Sequence, residues 1–257
     1  MTSAAAPALP TSRLWRAAQW LGLLLTAALL TGLLTRPEPS LHILWDMVIP
    51  LLPATFLLSP MLWRNVCPLA TLNQLTGRGR GTRLRGDALE WAWVFGIALL
   101  FALVPARRFL FNEHGAILAG TIAAVALLSA AGGSVFSRRA GFCNSICPVL
   151  PVEKLYGQSP LLRVRSAICP DCTGCAVRGC IDLAGGESMA QSVGTRRRAG
   201  WRWVLSPMGG FAVAFPGFVF GYFATTNGAL ESGLAVYREV VFWMVGSALA
   251  RSNQNDP

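Results

Sequence analysis

Long apolar stretches constrain the fold of this chain more than any other feature of its sequence. Five of them are nearly free of charged residues: Ala17 to Thr35, Leu41 to Pro60, Ala88 to Pro105, Gly115 to Gly133 and Trp203 to Thr225. A sixth, Ser232 to Ala250, is interrupted by Arg238 and Glu239, so it either crosses a membrane or lies partly in its interface. A helix needs about 20 mostly apolar residues to cross a bilayer. The sequence therefore predicts an all-α integral membrane protein with five or six transmembrane helices.

Basic residues are concentrated in the segments that follow the second and fourth apolar stretches. Loops that stay in the cytoplasm carry an excess of lysine and arginine, so we expect the amino terminus and all seven cysteines on the cytoplasmic side. The formal net charge of +10 then reflects topology and requires no nucleic-acid partner. The basic run Thr195 to Trp203 is predicted to anchor the chain to anionic membrane lipid.

Four of the seven cysteines form a closely spaced run after the fourth apolar stretch. Two-residue gaps separate Cys169, Cys172 and Cys175, and Cys180 follows after four more residues. Such spacing lets consecutive thiolates converge on one inorganic core, as in iron–sulfur proteins, whereas zinc sites usually use two separated cysteine pairs. We therefore predict one 4Fe-4S cluster, with Cys180 as its fourth ligand. Cys147 is the alternative fourth ligand, because a ferredoxin cysteine that precedes a proline can ligate a cluster begun elsewhere.

The other three cysteines, Cys67, Cys143 and Cys147, are candidates for a second site. Two complete four-cysteine clusters would need eight thiolates, and the chain has seven cysteines. A second site would therefore be an incomplete core or one with a ligand other than cysteine. We predict that these three form a redox or metal-binding group, for copper or iron. The alternative is that they are buried thiols that pack as small apolar side chains.

A short internal repeat connects two of these cysteines. The first Cys-Pro segment, Trp63 to Gly77, aligns with the second, Cys143 to Gly157, at an offset of 147 − 67 = 80 residues. Cys67-Pro68 then matches Cys147-Pro148. Because each segment follows two apolar stretches, the repeat predicts a parallel duplication about an axis along the membrane normal. We expect the two Cys-Pro segments to face each other across this axis.

These features divide the chain into five parts. We predict a cytoplasmic arm (1–16), a first two-helix unit with its Cys-Pro segment (17–87), a second such unit (88–157), a ferredoxin-like cluster segment with a basic linker (158–202), and carboxy-terminal membrane helices (203–257). The Ala, Gly and Ser content of the fourth apolar stretch predicts close helix packing. Pro50 and Pro53 predict a kink in the second stretch.

The motifs WRNVCPL, AGFCNSICPV and CPDCTGC resemble those of the membrane-bound ferredoxin-type proteins of the NapH, NosR and MauN group. The resemblance covers about Leu41 to Leu183. It implies a bacterial inner-membrane protein that passes electrons between the quinone pool or the cytoplasm and an extracytoplasmic redox system. Quinone, redox proteins and companion subunits are the partners that it implies.

The resemblance also assigns places to the cysteines. Cys67, Cys143 and Cys147 fill the Cys-x3-Cys-Pro places of the group, and the run Cys169 to Cys180 fills its ferredoxin place. Trp63 stands where the group has a leading cysteine, and one ferredoxin run is present where the group commonly has two. The chain therefore resembles a reduced branch of the group.

The polar residues within the apolar stretches give weaker indications. His42 and His114 are the two histidines, and we expect them to be polar interfacial residues rather than haem ligands. Asp46 and Glu90 lie near helix ends, where a carboxylate either marks a proton or quinone site or reaches headgroup water. No nucleotide-binding glycine pattern or Ser/His/Asp grouping occurs, so the sequence favours an electron-transfer subunit over a stand-alone enzyme. The alternatives are a membrane metal-handling or assembly factor and a cluster-based redox sensor.

Overall fold

The structure is a computed structural model that describes residues 13–77, 87–136, 142–157, 161–162, 204–224, 237–238 and 240–246. Nearly all of these residues are helical. The predicted all-α class is therefore confirmed for this part of the chain.

The first unit consists of two long helices and two short ones. Helix α1 (Arg13–Thr35) is followed by a long helix that covers Pro37–Leu58. This second helix comprises α2 (Pro37–His42), a π-helical segment (Ile43–Val48) and α3 (Ile49–Leu58). The short helices α4 (Pro60–Val66) and α5 (Pro68–Thr76) form the first Cys-Pro segment. Proline is the first residue of α2, α4 and α5, where its fixed φ and missing amide hydrogen suit a helix start.

The second unit has a similar order of elements. Helix α6 (Asp87–Ala106) continues through a π-helical segment (Arg107–Phe111), and α7 (Gly115–Val135) follows. Turns cover residues 142–149, and α8 (Leu150–Tyr156) completes the second Cys-Pro segment. Helix α9 (Pro207–Ala224) lies in the position of the fifth predicted span, and residues 240–246 are also helical.

The prolines of the second apolar stretch lie where the helix changes its geometry. Proline lacks an amide hydrogen, so it leaves the carbonyl four residues earlier without its helical partner. The π-helical segment ends at Val48, immediately before α3 begins with Ile49 and Pro50. At the position of the predicted kink the structure therefore has a change from π-helical to α-helical hydrogen bonding.

Among the described residues, four helices are long and apolar enough to cross a membrane: Arg13–Thr35, Pro37–Leu58, Asp87–Phe111 and Gly115–Val135. Their outer surfaces present large apolar side chains, including Leu24, Trp91 and Leu127, which are 66%, 71% and 72% exposed. A soluble protein rarely leaves so many large apolar side chains exposed on neighbouring helices. The first four predicted spans therefore have matching helices, and the fifth and sixth stay predictions.

Helices α5 and α7 pack closely, as the small residues of the fourth apolar stretch predict. A Cβ atom added to Gly133 of α7 would lie 2.1 Å from the Asn73 carbonyl oxygen of α5. Asn73 Nδ2 donates a hydrogen bond to the Ser129 carbonyl at 2.9 Å, and Ser129 Oγ donates to the Leu69 carbonyl at 2.7 Å. The absence of a side chain at position 133 is what lets these polar groups meet.

The short helices of each unit pack against the other unit. Helix α5 of the first unit packs on α7 of the second, and α8 of the second unit packs on α3 of the first. Each short helix also contacts the first long helix of its own unit, α5 against α1 and α8 against α6. This reciprocal packing brings the two Cys-Pro segments to the same end of the helices.

Candidate functional site at the two Cys-Pro segments

The predicted cluster ligands Cys169, Cys172, Cys175 and Cys180 lie outside the described residues. The basic run Thr195 to Trp203 lies outside them as well. Both therefore stay predictions. The remaining three cysteines, Cys67, Cys143 and Cys147, are all described, and the site is built around them.

Cys67 lies at the junction of α4 and α5. Its amide donates to the Trp63 carbonyl at 2.7 Å and so completes the last turn of α4. Its backbone then becomes extended, with φ −55° and ψ 125°, because the proline that follows disfavours helical geometry at this position. Its carbonyl accepts hydrogen bonds from the amide and hydroxyl of Thr71, at 2.9 and 3.0 Å. The sulfur is therefore held at a corner between two short helices.

Cys143 and Cys147 lie in the turns that precede α8. The Cys147 amide donates to the Phe142 carbonyl at 3.0 Å, and the Ser145 amide donates to the same carbonyl at 3.1 Å. Phe142 is fully buried and Cys143 is 8% exposed. The Cys147 carbonyl accepts from the Leu150 amide at 3.1 Å, at the start of α8. These bonds fix the turn without using either sulfur.

The three cysteines lie in one apolar cluster. Cys143 is buried together with Ala70 and Phe142, and Cys67 and Cys147 pack against these residues. Within the described ranges, no group of three or more His, Cys, Asp or Glu side chains is arranged to hold a metal ion. The structure thus brings the three predicted residues together, and a metal-binding role for them stays a prediction.

A buried ion pair joins the two Cys-Pro segments beside these cysteines. The Arg64 guanidinium of α4 donates through Nε to Glu153 Oε1, and through Nη2 to Glu153 Oε2 at 3.0 Å. Its Nη1 donates to Asn144 Oδ1 at 2.9 Å. Arg64 and Glu153 are only 3% and 4% exposed. Two parallel N–H···O bonds are the strongest geometry for this kind of pair, so the charges compensate each other where water is excluded.

Lys154 adds a second buried cation to the site. It is 8% exposed, and its Nζ lies 4.2 Å from the centroid of the Trp93 ring. Among the residues that the structure describes, no carboxylate lies within 4 Å of this nitrogen. Burial and, to a smaller extent, the neighbouring Arg64 together lower the pKa of Lys154 to about 8, with Glu153 acting in the opposite direction. Arg64, Glu153 and Lys154 together carry one more positive charge than negative.

The environment of Cys147 favours its protonated form. Burial raises the pKa of the Cys147 thiol to about 12, and the neighbouring Cys67 and Glu153 raise it as well. The Val149 amide, through a hydrogen bond, and Arg64 act in the opposite direction. The unmodified thiol therefore stays protonated at neutral pH, and it is a weak nucleophile because the thiolate is the reactive form.

Each unit supports its Cys-Pro segment from its first long helix in the same way. A Cβ atom added to Gly22 of α1 would lie 2.9 Å from the Val66 carbonyl oxygen, and one added to Gly96 of α6 would lie 2.9 Å from the Ile146 carbonyl oxygen. Val66 and Ile146 occupy equivalent repeat positions, immediately before the cysteine that precedes proline. A glycine therefore lets each first helix touch the backbone next to its cysteine.

A side-chain donor lies three residues before each of these glycines. Gln19 Nε2 donates to the Asn65 carbonyl at 3.1 Å, and Trp93 Nε1 donates to the Asn144 carbonyl at 2.9 Å. The two donors differ in chemistry but satisfy backbone carbonyls in corresponding parts of the two segments. The sequence alignment missed these contacts because Gln19 and Trp93 lie at an offset of 93 − 19 = 74 rather than 80.

Sequence reasoning also missed the burial of Arg64, Glu153 and Lys154. It assigned the basic residues to solvent-facing cytoplasmic loops, where most arginines of a membrane protein lie. A usable signal was present in the repeat, because Arg64 and Glu153 each align with an asparagine of the other unit, Asn144 and Asn73. Polar residues at corresponding positions in both units indicate a shared polar contact.

The polar residues that the sequence indicated more weakly, His42, Asp46, His114 and Glu90, lie outside this site. His42 and Asp46 are exposed and pair with each other across one helical turn, with Nδ1 and Oδ2 at 2.9 Å. His114 precedes α7 and is exposed, and Glu90 is exposed in the first turn of α6. These positions favour the interfacial interpretation of the polar residues.

Comparison of the chain with family models, with curated proteins and with solved structures finds no match.

Proposed function

We propose that this chain is a membrane-bound iron–sulfur electron-transfer protein, with its cysteine-bearing segments on the cytoplasmic side of a bacterial inner membrane. It relays electrons between the quinone pool or a cytoplasmic donor and an extracytoplasmic redox system. It acts as an electron-transfer subunit with companion proteins rather than as a stand-alone enzyme.

One observation carries this proposal: the spacing of Cys169, Cys172, Cys175 and Cys180 in a chain with four helices able to cross a membrane. Four thiolates at such intervals are the donor set of a 4Fe-4S cluster. When bound, the cluster supplies reversible one-electron transfer. The residues of the chain hold it and set the charge around it, and the many arginines near the run favour the more negative, reduced form.

The geometry at the Cys-Pro segments supports Cys180 over Cys147 as the fourth ligand. Cys147 packs in the apolar cluster with Cys67 and Cys143, beside the fixed Arg64–Glu153 pair. Cys147 could ligate the 4Fe-4S cluster only if the ferredoxin-like run reached into this group of apolar residues. Ligation by Cys180 leaves the three thiols in place.

Metal and sulfide analysis of anaerobically purified full-length protein tests the proposal. We expect about four iron atoms and four acid-labile sulfides per chain, as a single 4Fe-4S cluster requires. Cys172→Ser should lose both, and Cys143→Ser is the matched control that should keep both. Cys180→Ser and Cys147→Ser decide the fourth ligand, because only the variant without a true ligand loses the cluster. Zinc in place of iron, or full iron and sulfide in Cys172→Ser, would refute the proposal.

A second candidate function is a membrane metal-handling or assembly factor for copper or iron. The location of Cys67, Cys143 and Cys147 in one apolar cluster supports it, because soft thiol ligands select copper(I), but the three side chains would have to rearrange to hold the ion. The test is copper binding by a variant in which the four ferredoxin-run cysteines are serine. Tight binding that disappears in Cys67→Ser would support this candidate, and no binding would exclude it.

A further inference from the structure

We infer that Cys67 and Cys147 form a dithiol–disulfide couple between the two Cys-Pro segments, with a membrane quinone as the oxidant. This two-electron centre goes beyond the proposed iron–sulfur relay. It uses the membrane setting and the quinone of that proposal but needs no cluster, so the two can fail separately.

Cys67 and Cys147 occupy equivalent places in the two units of the fold. Each follows a short stretch whose carbonyl, that of Val66 or Ile146, lies against a glycine of the first helix in its unit. Each precedes a proline that starts the next part of the segment. The backbone therefore presents the two sulfurs from equivalent positions.

Equivalent positions of the two Cys-Pro segments also contact each other. Arg64 and Asn144 align in the repeat, and Arg64 Nη1 lies 2.9 Å from Asn144 Oδ1. Residues related by a two-fold axis contact each other only close to that axis. Cys67 and Cys147 come three residues later in each segment, and both pack against the buried cluster that contains Phe142. The axis of the repeat therefore passes close to both sulfurs.

The repeat also distinguishes Cys143 from the two cysteines that pair. Cys143 aligns with Trp63, so it has no counterpart in the first unit. Cys67 and Cys147 are the thiols that both units share. The Cys-Pro segments of the two units hold them, and the Arg64–Glu153 pair prevents these segments from separating without exposing buried charge.

The surroundings favour a lipid-soluble oxidant. Cys67 and Cys147 are partly exposed and lie in the apolar cluster that contains Phe142. These apolar surroundings suit an apolar oxidant better than a charged reagent such as glutathione. A quinone is apolar and diffuses in the membrane to which the adjoining helices belong.

The reaction balances in atoms and electrons. The two S–H bonds break, one S–S bond forms, and two electrons and two protons pass to the quinone, which becomes a quinol. The reverse reaction returns both electrons and protons to the sulfurs. A disulfide forms only if the two Cα atoms lie within about 4.4–6.8 Å, so its formation also measures how closely the segments approach.

The experiment uses the full-length chain with Cys169, Cys172, Cys175 and Cys180 replaced by serine, so that no cluster contributes thiols or electrons. The reduced, desalted protein is incubated in detergent with a short-chain ubiquinone under anaerobic conditions, alkylated and mapped by mass spectrometry. We expect a linked peptide containing Cys67 and Cys147, two fewer alkylated thiols per chain, and one quinol per disulfide. Cys143→Ser is the matched control and should give the same linked peptide.

Separate alkylation of Cys67 and Cys147 after exposure to quinone would overturn the inference, as would a disulfide that uses Cys143 instead. The same measurement on the chain with all seven cysteines distinguishes the two proposals. A Cys67–Cys147 disulfide without iron would support this inference and refute the iron–sulfur relay. Iron and sulfide without the disulfide would support the relay and refute this inference.

Discussion

The two Cys-Pro segments have the same backbone plan but different side-chain chemistry. Each has a Cys-Pro pair that leads into a short helix, a glycine contact to its first long helix, and reciprocal packing on the other unit. The first segment contributes Arg64, whereas the second contributes Asn144, Glu153 and Lys154. The comparison teaches that the shared features position the cysteines, and that the differing residues decide the charge beside them. The ion pair between the segments therefore has its cation, Arg64, in the first segment and its anion, Glu153, in the second.

Removal of one member of the Arg64–Glu153 pair should have the largest effect on stability. Arg64→Met leaves Glu153 buried without its cation, and the loss of one partner from a buried pair costs about 3–5 kcal/mol. Glu153→Met should cost a similar amount. The measurement is thermal unfolding of the detergent-solubilised variants, compared with the wild type.

The double variant Arg64→Met/Glu153→Met sharpens this prediction. Removal of both charges takes away the desolvation cost together with the attraction, so most of the lost stability should return. Single variants that unfold at the wild-type temperature, or a double variant less stable than both, would contradict the account of the pair.

The next largest effect should come from the glycine contacts that the two units share. In Gly96→Ala the added methyl would lie 2.9 Å from the Ile146 carbonyl oxygen, so the backbone beside Cys147 must shift. Such overpacking costs about 1–3 kcal/mol. Gly22→Ala should do the same beside Cys67, because its methyl would meet the Val66 oxygen at the same distance.

Gly120→Ala is the matched control for these glycine variants. Nothing lies within 4 Å of a Cβ atom at this position in α7. Alanine is a better helix former than glycine by up to about 1 kcal/mol, so this variant should be as stable as the wild type or slightly more so. Equal melting temperatures for all three variants would show that the close approach of the first helices is not required.

The smallest predicted effect concerns pH and belongs to the second segment alone. The pKa of Lys154 is about 8 in the folded protein, below the 10.5 of an exposed lysine. The unfolded chain therefore binds more protons between these values, and this group stabilises the fold as pH rises. Between pH 8 and 9 the gain is about 1 kcal/mol or less. The Cys147 thiol, whose pKa is raised from 9.0 to about 12, has the opposite effect as pH approaches and passes 9, and a comparison of two proteins that both keep Cys147 cancels it.

The check is the pH dependence of unfolding for the wild type and for Lys154→Met. We expect the wild type to gain up to about 1 kcal/mol of stability relative to Lys154→Met as pH rises from 8 to 9. A constant difference over this window would mean that Lys154 keeps an ordinary pKa in the folded state.

Much of the helical framework could be predicted from sequence, because long apolar stretches and proline positions act locally. The first four apolar stretches correspond to helices able to cross a membrane, and proline marks the starts of α2, α4 and α5. The grouping of Cys67 with Cys143 and Cys147 was also accessible, since the repeat pairs Cys67 with Cys147 and Cys143 lies four residues before Cys147. These inferences rest on patterns that can be read from the sequence without knowledge of the tertiary structure.

The charges at the site could not be predicted in the same way. Arg64 and Glu153 are 89 residues apart, and nothing local distinguishes Arg64 from the solvated arginines of a cytoplasmic loop. Lys154 is buried because Trp93 of α6 covers it, which is a consequence of tertiary packing. The contacts of Gly22 and Gly96 likewise depend on how each first helix meets its own Cys-Pro segment.

The central claim is that the chain carries one electron at a time on a single iron–sulfur cluster. An EPR-monitored redox titration of the anaerobically purified full-length protein tests it most directly. The account predicts a silent oxidised state and one signal from a reduced cluster, which appears with a one-electron dependence on potential and is lost in Cys172→Ser. A protein that contains zinc and gives no signal at any potential would contradict it.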